Sequence, residues 1–215
     1  MTGYSRVPQA LSIMDQITAV RYRIDPDDRL TEFSDGWVIF AAANDGEAIQ
    51  PPNILGRSLW EFIADATTRH LYRTMVERVR AGGLPIRFQF RCDAASLRRL
   101  LAMEITADGV GGTQFSVTSV VEQGRPSVRL LDPHEQHVEG ELLTMCSWCK
   151  RIPLLTGGWV EVEEAVQALG LFGIAPLPCL THGMCPSCHA AITETLASPL
   201  VGAAGMVTVG AIQAA

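Results

Sequence analysis

Four cysteines fall in two short pairs, Cys146-Ser-Trp-Cys149 and Cys185-Pro-Ser-Cys188, with 35 residues between them. A Cys-x2-Cys turn points both sulfurs to one side and aims backbone N–H groups at them. Two such turns can present four thiolates to one point. Four thiolates complete a tetrahedral Zn2+ shell at ~2.3 Å and leave no open position, so the expected role is structural. The same soft donors suit an iron–sulfur cluster, and Cys-x-x-Cys pairs can also cycle between dithiol and disulfide. Zinc is the first expectation, with Cys146, Cys149, Cys185 and Cys188 as ligands. His182, three residues before Cys185, is expected to hydrogen-bond a thiolate or to replace one cysteine as ligand. Loss of Cys146 or Cys185 should then unfold the C-terminal module and leave the preceding domain folded, because a metal supplies much of a small module's stability.

Other candidates carry less. Cys179 reads as a small buried side chain, and His189 directly follows Cys188 with no fixed direction. His134 and His137 do not make a His-Glu-x-x-His site, since the spacing is one residue short. Trp37, Trp60, Phe88 and Phe90 can line a pocket, although core packing is their default role. The chain lacks a G-x-x-x-x-G-K-[ST] loop, a G-x-G-x-x-G fingerprint and a G-x-S-x-G elbow. No set of nucleophile, base and oxyanion donors stands out. No catalytic residue is assigned, and the expectation is a protein that is not an enzyme.

The elements that must position these residues follow from composition and pattern. At 215 residues, 47% hydrophobic and 19% charged, the chain has material for one large domain or two small ones and is not globally disordered. The net charge of −6 argues against sequence-independent binding to phosphate backbones. The charge is uneven: residues 1–126 carry 14 Arg and 15 acids, whereas residues 127–215 carry 3 basic and 8 acidic residues. Met1-Thr-Gly-Tyr-Ser-Arg6 has no signal-peptide pattern. The uncharged stretch from Thr195 is rich in Ala, Val and Gly and too weakly apolar to read as a membrane span, so no membrane partner is expected. A cytoplasmic location is expected, where cysteines favour metal or redox roles.

Gly124-Arg-Pro-Ser127 and the polar run after Pro133 mark a linker at 124–140. Before it, Ala19–Ile24 and Arg29–Phe33 read as strands around the turn Asp25-Pro-Asp-Asp28. Asp35 is expected to cap a short helix, and Asp65 a longer one with Leu71, Met75 and Val79 on one face. Gly82-Gly83 is its stop. Ile86–Arg91, Leu100–Thr106 and Gln114–Val121 then read as an antiparallel meander. The result is an α+β domain with helices grouped on one face of a sheet. In the second half, Gly157-Gly-Trp159 reads as a turn with an aromatic anchor. Glu161–Leu169 reads as a helix burying Val162, Val166 and Leu169, closed by Gly170.

The order of elements resembles a PAS domain, a five-stranded antiparallel sheet with short helices between its second and third strands. Leu30-Thr-Glu-Phe-Ser-Asp-Gly-Trp-Val-Ile-Phe-Ala41, Leu55-Gly-Arg-Ser-Leu-Trp-Glu-Phe-Ile63 and Val76-Glu-Arg-Val-Arg-Ala-Gly-Gly83 are similar to PAS segments in order and spacing, over about residues 18–122. The resemblance implies a sensor and dimerisation module, often with a ligand between sheet and helices. His70 lies near the helix position of the haem ligand in haem-binding PAS sensors, but about one residue out of register. Cys92 lacks the Asn-Cys-Arg-Phe-Leu context of flavin photosensors. Haem and flavin are therefore not expected.

Met145-Cys-Ser-Trp-Cys-Lys-Arg-Ile152, Trp159-Val-Glu-Val-Glu163 and Thr181-His-Gly-Met-Cys-Pro-Ser-Cys188 resemble a cysteine module of bacterial PAS-containing proteins and some sensor histidine kinases, over about 143–192. The expected organisation is an N-terminal extension (1–17), a PAS-like sensor domain (18–123), a linker (124–140), a small metal-stapled four-cysteine zinc module (141–192) and a poorly ordered apolar tail (193–215). The expected function is non-enzymatic signal transduction in a bacterial cytoplasm. The sensor domain would respond to a ligand, redox state or partner, form a homodimer, and act on a protein partner through the zinc module. A redox-active thiol switch and a zinc-module nucleic-acid-binding regulator are the alternatives.

Overall fold

The computed structural model describes residues 19–82, 84–173 and 176–197. The expected N-terminal extension, and the tail from residue 198 onward, lie outside the described residues.

Strands β1 (Val20–Ile24), β2 (Leu30–Phe33), β3 (Ile86–Arg91), β4 (Leu97–Ala107) and β5 (Thr113–Gly124) form one antiparallel sheet in the order β2-β1-β5-β4-β3. Helices α1 (Asp35–Ala42), α2 (Pro51–Ile54) and α3 (Ala66–Gly82) lie in sequence between β2 and β3. The fold is α+β, with the PAS-like arrangement that the sequence resemblance implied.

Local chemistry explains the element ends. In the β1–β2 turn, the Asp25 carboxylate accepts the backbone N–H groups of Asp27 and Arg29, both at 2.9 Å. Asp28 then takes a positive φ of 62°, which Asp tolerates better than most residues. Its carboxylate accepts from the Trp60 indole at 2.7 Å and from the Arg80 guanidinium at 2.8 Å, tying the turn to the helical layer. Helix α1 is capped by Ser34, whose hydroxyl accepts from the Trp37 N–H, and not by Asp35, the first helical residue. A serine one residue earlier has the same capping chemistry, and the sequence alone does not separate the two. Asp65 caps α3 through the Thr68 N–H at 2.7 Å. Leu71, Met75 and Val79 are buried along one face of that helix.

The second half supplies β6 (His137–Cys146), the hairpin β7 (Ile152–Pro153) and β8 (Trp159–Val160), α4 (Val162–Ala168), β9 (Leu177–Gly183) and α5 (Pro186–Ala197). Strands β6 and β9 pair in parallel. Parallel neighbours need a crossover of a dozen or more residues, usually carrying a helix. The hairpin and α4 are that crossover, which is why 35 residues separate the cysteine pairs. Helix α4 ends in a Schellman turn: Gly170 has φ 66°, and the Leu171 N–H reaches the Val166 carbonyl at 2.9 Å. Between the halves, Arg129–Leu131 form a 3-10 turn that buries Leu130.

Two hydrophobic cores result. The smaller gathers Val128, Leu130, Met145, Ile152, Val162, Ala165, Val166 and Leu177. The larger runs without a break from the sheet and α3 into the cysteine region: Phe88, Met75 and Phe115 share it with Cys146, Trp148, Cys185, Cys188 and Ile192.

Candidate metal centre

Each cysteine pair sits where a regular element begins or ends. Cys146 is the last residue of β6 and pairs in register with Gly183 at the end of β9. The parallel register therefore delivers both cysteine turns to one end of the two-stranded sheet. In the first turn, the Cys146 N–H donates to the Arg151 carbonyl at 2.8 Å, and the Lys150 N–H returns to the Cys146 carbonyl at 3.0 Å. Lys150 closes the loop at φ 61°. The second pair occupies the start of α5. Pro186 holds the first helical position, where its missing N–H costs nothing. The Cys185 sulfur accepts the Cys188 N–H at 3.4 Å, as a serine cap would. The helix start also favours negative charge on that sulfur.

The four sulfurs all lie within 4.8 Å of one another, and among the described residues no other His, Cys, Asp or Glu joins the group. Cys149 and Cys185 sulfurs are 3.7 Å apart. The edge of a tetrahedron with ~2.3 Å metal–sulfur bonds is about 3.8 Å. The Cys185 N–H donates to the Cys146 sulfur at 3.4 Å. Cys146, Cys185 and Cys188 are buried, and Cys149 is half-buried. Hydrogen bonds from Cys149 and Cys188 push the Cys146 thiol far below its ordinary range. The Cys146 contact pushes Cys149 up to about 12, and contacts with Cys146 and Cys149 push Cys188 further still. Crowded sulfurs cannot all carry charge unaided, so the cluster calls for a cation.

The cysteine turns are bound to the sheet domain by three kinds of contact. Trp148, between the first two cysteines, packs its ring against Phe88 at 5.4 Å and Tyr72 at 5.6 Å between centroids. The Thr68 and Ser147 hydroxyls are 3.3 Å apart. Beside them lies an ion network. Arg91, at the end of β3, pairs with Asp93 and with Glu161 at the start of α4. Arg98 pairs with Glu163 at 2.9 Å, and Arg125 reaches Glu163 at 3.0 Å and Asp93 at 3.3 Å. Arg151 completes it on Glu161 at 3.1 Å. Burial alone would raise the Glu161 carboxyl. The hydrogen bond and charge of Arg91, with Arg151 and Arg98, outweigh it and hold Glu161 below the ordinary carboxylate range.

His182 sits on β9 opposite Met145, and its ring lines a cleft beside the cluster. Its side chain is exposed, and desolvation by neighbouring residues and the Lys150 charge lower its pKa. His189 is exposed on α5. His134 is exposed near Asp45, and His137 bonds the Pro178 carbonyl at 3.0 Å. His70 is exposed on α3. Cys179 is half-buried, with its thiol 3.4 Å from the Val138 carbonyl. Cys92 and Phe90 line a small apolar cavity of about 170 Å3. Trp37 lines the cleft near His182, Trp60 is held by Asp28, and Phe88 is core. Sequence reasoning missed the junction residues Trp148, Arg91, Asp93 and Glu161. The one available signal was the charge asymmetry, arginines before residue 126 and an acidic excess after it.

No family model matches the chain, and no curated protein does. Among solved structures, the chain is similar to a sensory box sensor histidine kinase from Vibrio cholerae. That match has 8% identity and a TM-score of 0.37, and it covers 52% of this chain and 88% of that one.

Proposed function

We propose that this chain is a non-enzymatic sensory protein in which a structural zinc tetrathiolate, held by Cys146, Cys149, Cys185 and Cys188, fuses an output surface to a PAS-like sensing domain. The observation that carries the reading is the position of the four sulfurs: within 4.8 Å of one another and inside the same core as the sheet and α3. All four can reach a single ion at ~2.3 Å. An iron–sulfur cluster inserts several irons and sulfides between its cysteines, which requires a wider spread. A closed thiolate shell offers no site for a substrate, so the metal would act through folding and not through turnover. Metal state and sensor packing would then rise and fall together, and the cysteine module would pass a change in the sensing domain to a protein partner. The PAS resemblance further supports a homodimer.

Elemental mass spectrometry of the purified chain tests the reading. About one zinc per chain, absent after Cys146→Ser, is expected. Protein that carries no metal after handling under reducing conditions, or that carries iron with sulfide, overturns it.

A further inference from the structure

A cleft of about 460 Å3 lies between the sheet domain and the cysteine module. Its walls are apolar and aromatic: Tyr22 from β1, Trp37 from α1, Ile54 from α2 and Tyr72 from α3. Its rim is polar and comes partly from the other half of the chain. Ser147, between two cluster cysteines, and His182, three residues before a third, line it alongside Asp65 and Thr68. Among the described residues no hydrogen bond reaches the hydroxyl of Tyr22 or of Tyr72. Burial raises both phenols, and their proximity raises Tyr22 further, so both remain donors at neutral pH. Neither phenolic oxygen is sealed from solvent, so each can donate to an acceptor that enters the cleft. The volume falls in the range of pockets that hold small organic molecules, roughly 300–1,000 Å3.

From this arrangement we infer a bipartite binding site for a small, uncharged aromatic molecule that bears a hydrogen-bond acceptor, its body held by the sheet domain and its exposed edge by Ser147 and His182 of the cysteine module. The inference builds on the sensory reading above and assigns it a ligand class. An aromatic body matches the ring-lined walls. An acceptor such as a carbonyl meets the phenols, which sit on the sheet and α3. The rim carries one carboxylate, Asp65, already engaged with the Thr68 N–H, so an anionic ligand is disfavoured. The site is complete only when the cysteine module is docked, since two of its rim residues belong to that module.

The test uses the full chain and the neutral fluorophore 6-propionyl-2-(dimethylamino)naphthalene, which has an aromatic body and one carbonyl acceptor. One bound probe per chain with blue-shifted emission is expected. Tyr72→Phe deletes one donor and keeps the ring, and should weaken binding at least threefold. His182→Ala removes part of the rim and should weaken it three- to tenfold, with the melting temperature and metal content unchanged. Absence of saturable binding up to 100 µM probe overturns the site. So does binding that neither variant alters. If only Tyr72→Phe weakens binding, the site belongs to the sheet domain alone and the bipartite assignment fails. Metal content is read separately. Probe binding without metal overturns the zinc reading only, and metal without probe binding overturns this inference only.

Discussion

The backbone N–H of Arg91 donates to the carbonyl oxygen of Trp148 at 2.7 Å. Arg91 ends β3, the edge strand of the five-stranded sheet, so the sheet edge closes on the residue between the first two cysteines. An open edge is otherwise a template for unwanted pairing, and here the cysteine turn covers its Arg91 end. The Trp148 side chain seals the same joint. It is 2% exposed, and its indole N–H has no partner among the described residues.

The joint predicts a graded response at Trp148. Truncation to Ala leaves a cavity between Phe88 and Tyr72 and should cost about 3–5 kcal/mol. Trp148→Phe keeps ring contacts and removes the orphan donor, whose burial itself costs about 1–3 kcal/mol. It should therefore cost no more than about 1.5 kcal/mol, the lost apolar area being offset by the removed donor. Urea unfolding measures both. Equal losses would mean that the ring contacts contribute little.

Metal removal should act on the whole chain. Spacing alone suggested that Cys146→Ser would unfold a separate module, but Cys146, Cys185 and Cys188 belong to the core that holds Phe88 and Met75. A structural metal contributes on the order of 10 kcal/mol, comparable with a domain's whole stability of about 5–15 kcal/mol. Stripping zinc, or Cys146→Ser, should lower the unfolding midpoint of sheet and module together, in one transition seen alike by circular dichroism and tryptophan fluorescence. A metal-free variant whose sheet still melts at the wild-type midpoint would show that the cores are independent.

This difference shows where the sequence was legible. The three late strands, the four-residue spacing of Leu71, Met75 and Val79, and the Gly170 stop all follow from local pattern and turn chemistry, and each appears close to where expected. The cysteine set was legible because two short turns encode their own geometry. What local pattern cannot carry is which surfaces meet. Trp148 reads as one more aromatic until Phe88 and Tyr72 are placed beside it. Arg91 and Glu161, 70 positions apart, pair only through tertiary docking. The parallel pairing of β6 and β9 was equally hidden, because its crossover is built from short elements with weak signals.

The ion network should make stability pH-dependent with a definite sign. Glu161 is held below its ordinary value, so its folded-state pKa is lower than the unfolded value of about 4.3. Its pairing with Arg91 is then fully present above that unfolded value and is lost as pH falls through the folded one. Glu161→Gln should destabilise at pH 7, and the gap from wild type should close towards pH 3. Taken as a difference between the two proteins, acid release of metal cancels. Asp93→Asn should cost more, about 3–5 kcal/mol, because Asp93 is buried between Arg91 and Arg125 and its loss leaves buried charge uncompensated. A gap that stays constant with pH would remove Glu161 from the network's energetics.

Ligand and metal should be linked through Tyr72. Its ring lines the cleft on one side and packs on Trp148, beside Cys149, on the other. A molecule that orders Tyr72 also orders the turn that carries two thiolates. Coupling between sites in one packed unit typically amounts to about 5–150-fold in affinity, and it is reciprocal. Saturating 6-propionyl-2-(dimethylamino)naphthalene should therefore slow zinc loss to the chromogenic chelator 4-(2-pyridylazo)resorcinol by about fivefold, near the low end of that range. Metal-loaded chain should bind the probe correspondingly more tightly than stripped chain. Trp148→Ala cuts the contact between the cleft wall and the cysteine turn, and should abolish the slowing even at probe concentrations that fill the cleft. Zinc release that is indifferent to bound probe in the wild-type chain would mean that the two sites share a wall without sharing energy.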